Sequence, residues 1–124
     1  MIPTEFEKED NNFIYDLDEA TAVALANLPD YMLSKFSYED IHFILKLEME
    51  FLINEGIMID EDQELSICNY PVDFDQDAME NYVISNAIKS GIMLSFDEFD
   101  EIFEAELIYY QINGALSDAG EFYN

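Results

Sequence analysis

Apolar and polar positions follow a helical period over two stretches of the chain. Residues 37–58 read SYEDIHFILKLEMEFLINEGIM, and residues 95–116 read SFDEFDEIFEAELIYYQINGAL. At about 100° per residue, Ile41, Ile44, Leu45, Phe51 and Leu52 form one apolar stripe, and Phe99, Ile102, Phe103, Tyr109 and Tyr110 form another. Each stretch opens Ser-aromatic-acid-acid, the pattern of a capping box in which Ser37 or Ser95 caps and an acid sits three residues on. Phe36 with Ile41, and Leu94 with Phe99, have the spacing of a hydrophobic staple across each cap. Gly56 and Gly114 stand where a left-handed residue closes a helix. The pattern predicts two helices of about 17 residues, each about 25 Å long.

Laid over one another without a gap, the stretches match Ser37 with Ser95, Ile44 with Ile102, Glu48 with Glu106 and Gly56 with Gly114. Most other positions are chemical equivalents, such as Tyr38 with Phe96, Glu39 with Asp97, Asp40 with Glu98 and Phe51 with Tyr109. The preceding segments, DLDEATAVALANL and DQDAMENYVISNA, align after one residue of slippage and bring Asp16, Asp18 and Asn27 onto Asp75, Asp77 and Asn86. They predict a shorter helix over about 18–28, stopped by Pro29, and another over about 76–90, stopped near Gly91. The fold class is therefore mainly α: tandem duplicated helical hairpins, about four helices in a small bundle. One domain spans 1–124, with repeats at about 16–58 and 75–116 and flexible ends expected at 1–12 and 117–124. Convergence of two capped amphipathic helices is the alternative to duplication, since caps draw on few residue types. In the 57–74 connection, apolar Ile57, Met58 and Ile59 precede an acid run, and Leu65–Tyr70 suits a short extended piece.

Half of the residues are hydrophobic, including ten Phe, eight Tyr and six Met, which is enough for one core. That excludes the disorder expected of many strongly acidic chains. No run approaches eighteen uninterrupted apolar residues, so no transmembrane helix is expected. The acidic start, Met1 to Asp10, lacks the layout of a signal peptide. Cys68 is the single cysteine, which fits a reducing cytoplasm.

Glu48 and Glu106 interrupt the picture, because each falls near the centre of its apolar stripe. A charge there is costly unless hydrogen-bonded. With no Arg in the chain, the expected partners are Tyr hydroxyls, backbone N–H groups at a helix start, Lys35 or Lys89. Two carboxylates across a pseudo-twofold also occur in four-helix di-metal proteins, but those add Glu-x-x-His motifs. The only histidine, His42, lies off the stripe. The expectation at each position is a buried, hydrogen-bonded Glu that fixes helix register.

Other chemistry finds little support. Asp73, Asp75 and Asp77 have the 1-3-5 spacing of an EF-hand loop, but Ala78 replaces its Gly and Ile84 its terminal Glu. The run Asp60, Glu61, Asp62, Gln63, Glu64 fails the same test at Leu65 and Pro71. Nothing pairs Cys68 with His42, and there is neither a phosphate loop nor a zinc spacing. The expectation is a protein without enzymatic activity, metal or cofactor.

Charge then dominates. Twenty-nine Asp and Glu against four Lys give a formal −25. Duplex DNA carries one charge per about 1.7 Å, so the same charge fills about 40 Å of duplex, about twelve base pairs. Such a balance points away from nucleic acid and acidic membranes as partners and toward a basic protein. The outward face of the second long helix carries Asp97, Glu98, Asp100, Glu101 and Glu104, while Asp60, Glu61, Asp62, Glu64, Asp73, Asp75 and Asp77 extend the charge. Acids at a helix start are explained by the macrodipole, but the near absence of Lys is not. Phe43 and Ile108 lie opposite the core stripes, either packing on the other half or a second copy, or anchoring a partner inside the charged footprint. Homodimer formation stays open.

In size, Lys poverty and distribution of acids, the chain resembles the acidic DNA-mimic inhibitors of phages and mobile elements, of the anti-CRISPR and antirestriction type. No family motif accompanies that resemblance, so no functional residues are carried over from it. It implies a stoichiometric inhibitor that fills the DNA-binding channel of a host Cas effector or restriction enzyme. The alternatives are an immunity protein or antitoxin against a basic nuclease toxin, an acidic chaperone for a basic protein, and a structural mobile-element protein.

Overall fold

The computed structural model describes residues 13–61, 64–67 and 75–113. In chain order the elements are β1 (Phe13–Tyr15), α1 (Leu17–Ala26), α2 (Asp30–Lys35), α3 (Tyr38–Asn54), β2 (Met58–Glu61), β3 (Glu64–Ile67), α4 (Gln76–Lys89) and α5 (Phe96–Ile112). The long helices start and stop where the capping residues stand. Ser37 and Asp40 close a full capping box on α3, and Ser95 with Glu98 closes its counterpart on α5. Asp16 and Asp75, matched in the sequence comparison, both act as N-caps, accepting the Glu19 and Ala78 N–H groups at 3.1 and 3.0 Å.

Glycine ends α3 and α4 in the same way. Gly56 (φ 78°) and Gly91 (φ 91°) take the left-handed conformation that L side chains resist. The Ile57 N–H then reaches the Leu52 carbonyl and the Ile92 N–H the Ala87 carbonyl, both at 2.9 Å. With Gly56 N–H to Ile53 and Gly91 N–H to Ile88, each end is a Schellman motif. Gly114 lies outside the described residues.

Three details differ from the sequence expectation. The first helix runs Leu17–Ala26 rather than 18–28, because Asp16 caps it and the Asn27 side chain bonds the Val23 carbonyl at 2.8 Å. Pro29 is not only a stop. It occupies the cap position of α2, whose six residues are too few to show a period. The connection forms two strands rather than one extended piece, and β1 joins them in an antiparallel sheet of order β1-β3-β2. Tyr15 and Asp60 both lie in register with Leu65, and Ile14 and Ile59 with Ser66. Tyr15 and Met58 are buried, whereas Ile14 and Ile59 face outward. Of the expected Leu65–Tyr70 piece, 65–67 is strand and the rest lies outside the described residues.

The fold is mainly α around one core. Every residue of the α3 stripe is buried, and so are Phe99, Ile102, Tyr109 and Tyr110 of the α5 stripe, with Phe103 half-buried against them. The staple residues Phe36, Ile41, Leu94 and Phe99 are all buried. α1 packs on both long helices, α5 and α3, and α4 packs mainly on α3, while α4 and α5 touch less. Glu48 of α3 thereby meets Glu106 of α5.

Candidate functional site

Two carboxyl environments result, one buried and one exposed. The buried one follows from the stripes. Glu48 is 1 % exposed and Glu106 0 %. The two side chains hydrogen-bond to one another, and Glu106 also accepts from the hydroxyls of Tyr15 and Tyr110. Tyr15 packs edge-on against Tyr109, with ring centroids 5.3 Å apart, and Tyr109 packs edge-on against Tyr110 at 5.7 Å. The Tyr109 hydroxyl oxygen accepts the Asp16 N–H at 2.8 Å, so the ring cluster also holds the start of α1.

Of the partners expected for this pair, the Tyr hydroxyls are the ones present; Lys35 bonds Glu98 instead, at 2.7 Å. Burial, the Glu106 charge and the hydrogen bond to it push the Glu48 carboxyl well above its ordinary range. Burial raises Glu106 too, but the hydrogen bonds from Glu48, Tyr15 and Tyr110 oppose it. Burying a bare carboxylate costs several kcal/mol, more than the ~1.5–3 kcal/mol that burying one Ile or Leu returns. Protonation of Glu48 removes that cost. Among the described residues no three His, Cys, Asp or Glu side chains group as a metal cluster.

The exposed environment is a face shared by α4 and α5. Asp97, Asp100 and Glu104 lie along the outer side of α5 and are exposed. Glu80 of α4 comes within hydrogen-bonding reach of Asp100 across the helix pair, a bond two ionised carboxylates cannot make, and Asp77 stands one turn before it. Partial burial and the charges of Asp100 and Asp77 raise the Glu80 carboxyl above its ordinary value. Neither Lys46 nor Lys89 forms an ion pair with a described residue, so this face has no counterion among the described residues. Carboxylates crowded without a cation repel, and their repulsion is relieved by salt or by a basic partner.

The other residues expected at a site are placed as follows. Glu98 is half-buried. Burial raises its carboxyl, but Lys35 and the Ser95 N–H outweigh that and hold it below the ordinary value. Glu101 is half-buried and accepts the Tyr31 hydroxyl at 3.1 Å. Asp75 is spent on its cap, and helix begins at Gln76, so the EF-like spacing ends inside α4. Asp60 is exposed on β2, while Glu61 and Glu64 are backbone register partners at the end of the β2–β3 pairing. Asp62 and Asp73 lie outside the described residues. Phe43 is half-buried and packs against the core, and Ile108 is half-buried. The structure thus unites Asp77, Asp97, Asp100 and Glu104 on one face and leaves Asp60 on another element.

Glu80 and the identity of Tyr15 as a donor escaped the sequence reading, although Tyr hydroxyls were expected as a class. Glu80 had a signal, since it follows Asp77 by three residues on the same helix. Tyr15 had none, because its partner is 91 residues away. Comparison with protein-family models, curated proteins and solved structures returned no match. No helix among the described residues is long and apolar enough to cross a membrane.

Proposed function

We propose that the protein is an acidic DNA-mimic inhibitor, acting in the bacterial cytoplasm without catalysis. It occupies the basic DNA-binding surface of a host defence nuclease, a Cas effector or restriction enzyme, and competes with DNA. The observation that carries this reading is the Asp77–Glu80–Asp100 cluster, continued by Asp97 and Glu104. Like charges are held at contact there, with no described lysine to neutralise them. Each such contact opposes folding, so the arrangement makes sense for a surface completed by a partner's Lys and Arg. Carboxylates then stand where phosphates would, and the target's cations are withdrawn from DNA.

The test is capture of targets from bacterial lysate on the immobilised protein at low and high salt, followed by competition with labelled duplex DNA for each captured nuclease. Binding that excludes DNA and weakens steeply with salt supports the mimic. Asp77→Asn, Glu80→Gln and Asp100→Asn combined should weaken it at least tenfold, while Asp18→Asn with Glu39→Gln should not. A captured nuclease that still binds DNA would sink the mimic and favour the immunity-protein reading.

A further inference from the structure

The buried Glu48–Glu106 pair takes no part in the acidic surface, yet its chemistry is unusual. Two carboxyl groups touch in the core, and Glu48 Oε2 and Glu106 Oε1 have no conventional donor among the described residues. No lysine among the described residues acts on either carboxyl, and Lys35 is taken by Glu98. With both groups ionised, two like charges would face each other without solvent. A single proton turns that repulsion into a short charge-assisted hydrogen bond.

We infer that Glu48 and Glu106 form a proton-binding site, in which one shared proton holds Tyr15 and the β1 strand against α5 and its loss frees β1. The remaining negative charge rests on Glu106, where the Tyr15 and Tyr110 hydroxyls donate. Tyr15 from β1, and Tyr109 and Tyr110 from α5, are the ionisable neighbours. The buried residues of α1 (Ala20, Thr21, Ala24) and α4 (Met79, Val83, Ile84, Ala87), with Met58 of β2 and Met32 of α2, bring none. Burial and the hydrogen bond to Glu106 place the proton on Glu48.

β1 is the element that yields. It has three residues, pairs only with β3, and is tied to α5 by the Tyr15–Glu106 bond and the Asp16 N–H bond to Tyr109. α3 and α5 are each fixed by a full apolar stripe. When the second charge appears, departure of Tyr15 admits water at the smallest loss of packing. The closed state binds the proton more tightly than the open one. Opening therefore stays rare below the ordinary carboxyl range and rises about tenfold per pH unit until the raised value is passed.

The experiment combines two measurements on the full chain. Carbon-13 NMR of labelled glutamate follows each carboxyl through a pH titration. Hydrogen exchange compares the Asp16 amide with the Leu45 amide inside α3, both corrected for intrinsic exchange. One buried Glu should keep its proton after the surface Glu have ionised, and Asp16 protection should then fall relative to Leu45. Glu48→Gln, whose amide still donates to Glu106 but does not titrate, should make that ratio independent of pH. If this variant does not fold, Glu106→Gln should show the same flattening, since Tyr15 can donate to its amide oxygen. Both buried carboxyls titrating with the surface ones would overturn the inference. So would a pH-independent ratio in the natural sequence, or one that still varies in either glutamine variant.

Discussion

Tyr15 shows how much one hydroxyl carries when it meets a buried charge. Hydrogen bonds to ionised groups contribute about 1.5–3 kcal/mol net, more than a neutral pair, because the acceptor has no water to fall back on. Tyr15→Phe keeps the ring against Tyr109 and Tyr110 and removes only the donor to Glu106. It should cost about 2 kcal/mol, seen as a lower urea midpoint at unchanged slope. The sign of the pH dependence follows from the same site. Burial raises the Glu48 carboxyl, so above the ordinary carboxyl range the folded chain holds a proton that the unfolded chain has released. Its stabilising effect is full below that range and is lost as pH rises toward the raised value. Urea unfolding of the natural chain should show stability declining on that limb, and Glu48→Gln should decline less. That Glu48 and Glu106 would be buried was legible in the sequence, from their places in the stripes. That they would meet each other was not, because helix periodicity fixes a face and says nothing about what the face meets.

At the level of elements, the chain announces what is local. Caps act within three residues and helix ends within six, so Ser37, Ser95 and Gly56 could be read directly. Ser37→Ala and Ser95→Ala should each cost about 1 kcal/mol, and by similar amounts, because both boxes satisfy the same two N–H groups. Thermal unfolding of the two variants checks this. Gly56→Ala isolates a backbone effect, since an added methyl would meet nothing within 4 Å yet must sit at φ 78°. A loss of about 1 kcal/mol is expected in the same measurement. What stayed hidden was non-local or too short for a period. β1 is held by β3, more than fifty residues on in the chain, and by Tyr15 contacts to α5. α2 has one face against the core at Met32 and one toward α5 through Tyr31 and Lys35, a pattern that six residues cannot display.

For the whole molecule, charge sets the conditions of folding. With a formal −25 and one described lysine–carboxylate pair, self-repulsion opposes the compact state. Moderate salt should raise the melting temperature, and the combined neutralisation of Asp77, Glu80 and Asp100 should raise it at low salt while weakening target binding. A melting temperature that is flat across salt would remove repulsion as a cost, and with it the reason for expecting a stability gain from neutralisation. The candidate face was legible as a run of acids on α5. Its continuation through Glu80 depended on how α4 lies beside α5. The sharing of α1 between both long helices reaches further. α3 takes cover from α1 and α4, and α5 takes most of its cover from α1, so the second half leans on a helix of the first. A chain cut between Gly56 and Asp75 should therefore yield two fragments that fold together and not apart, a complementation pair rather than two small domains.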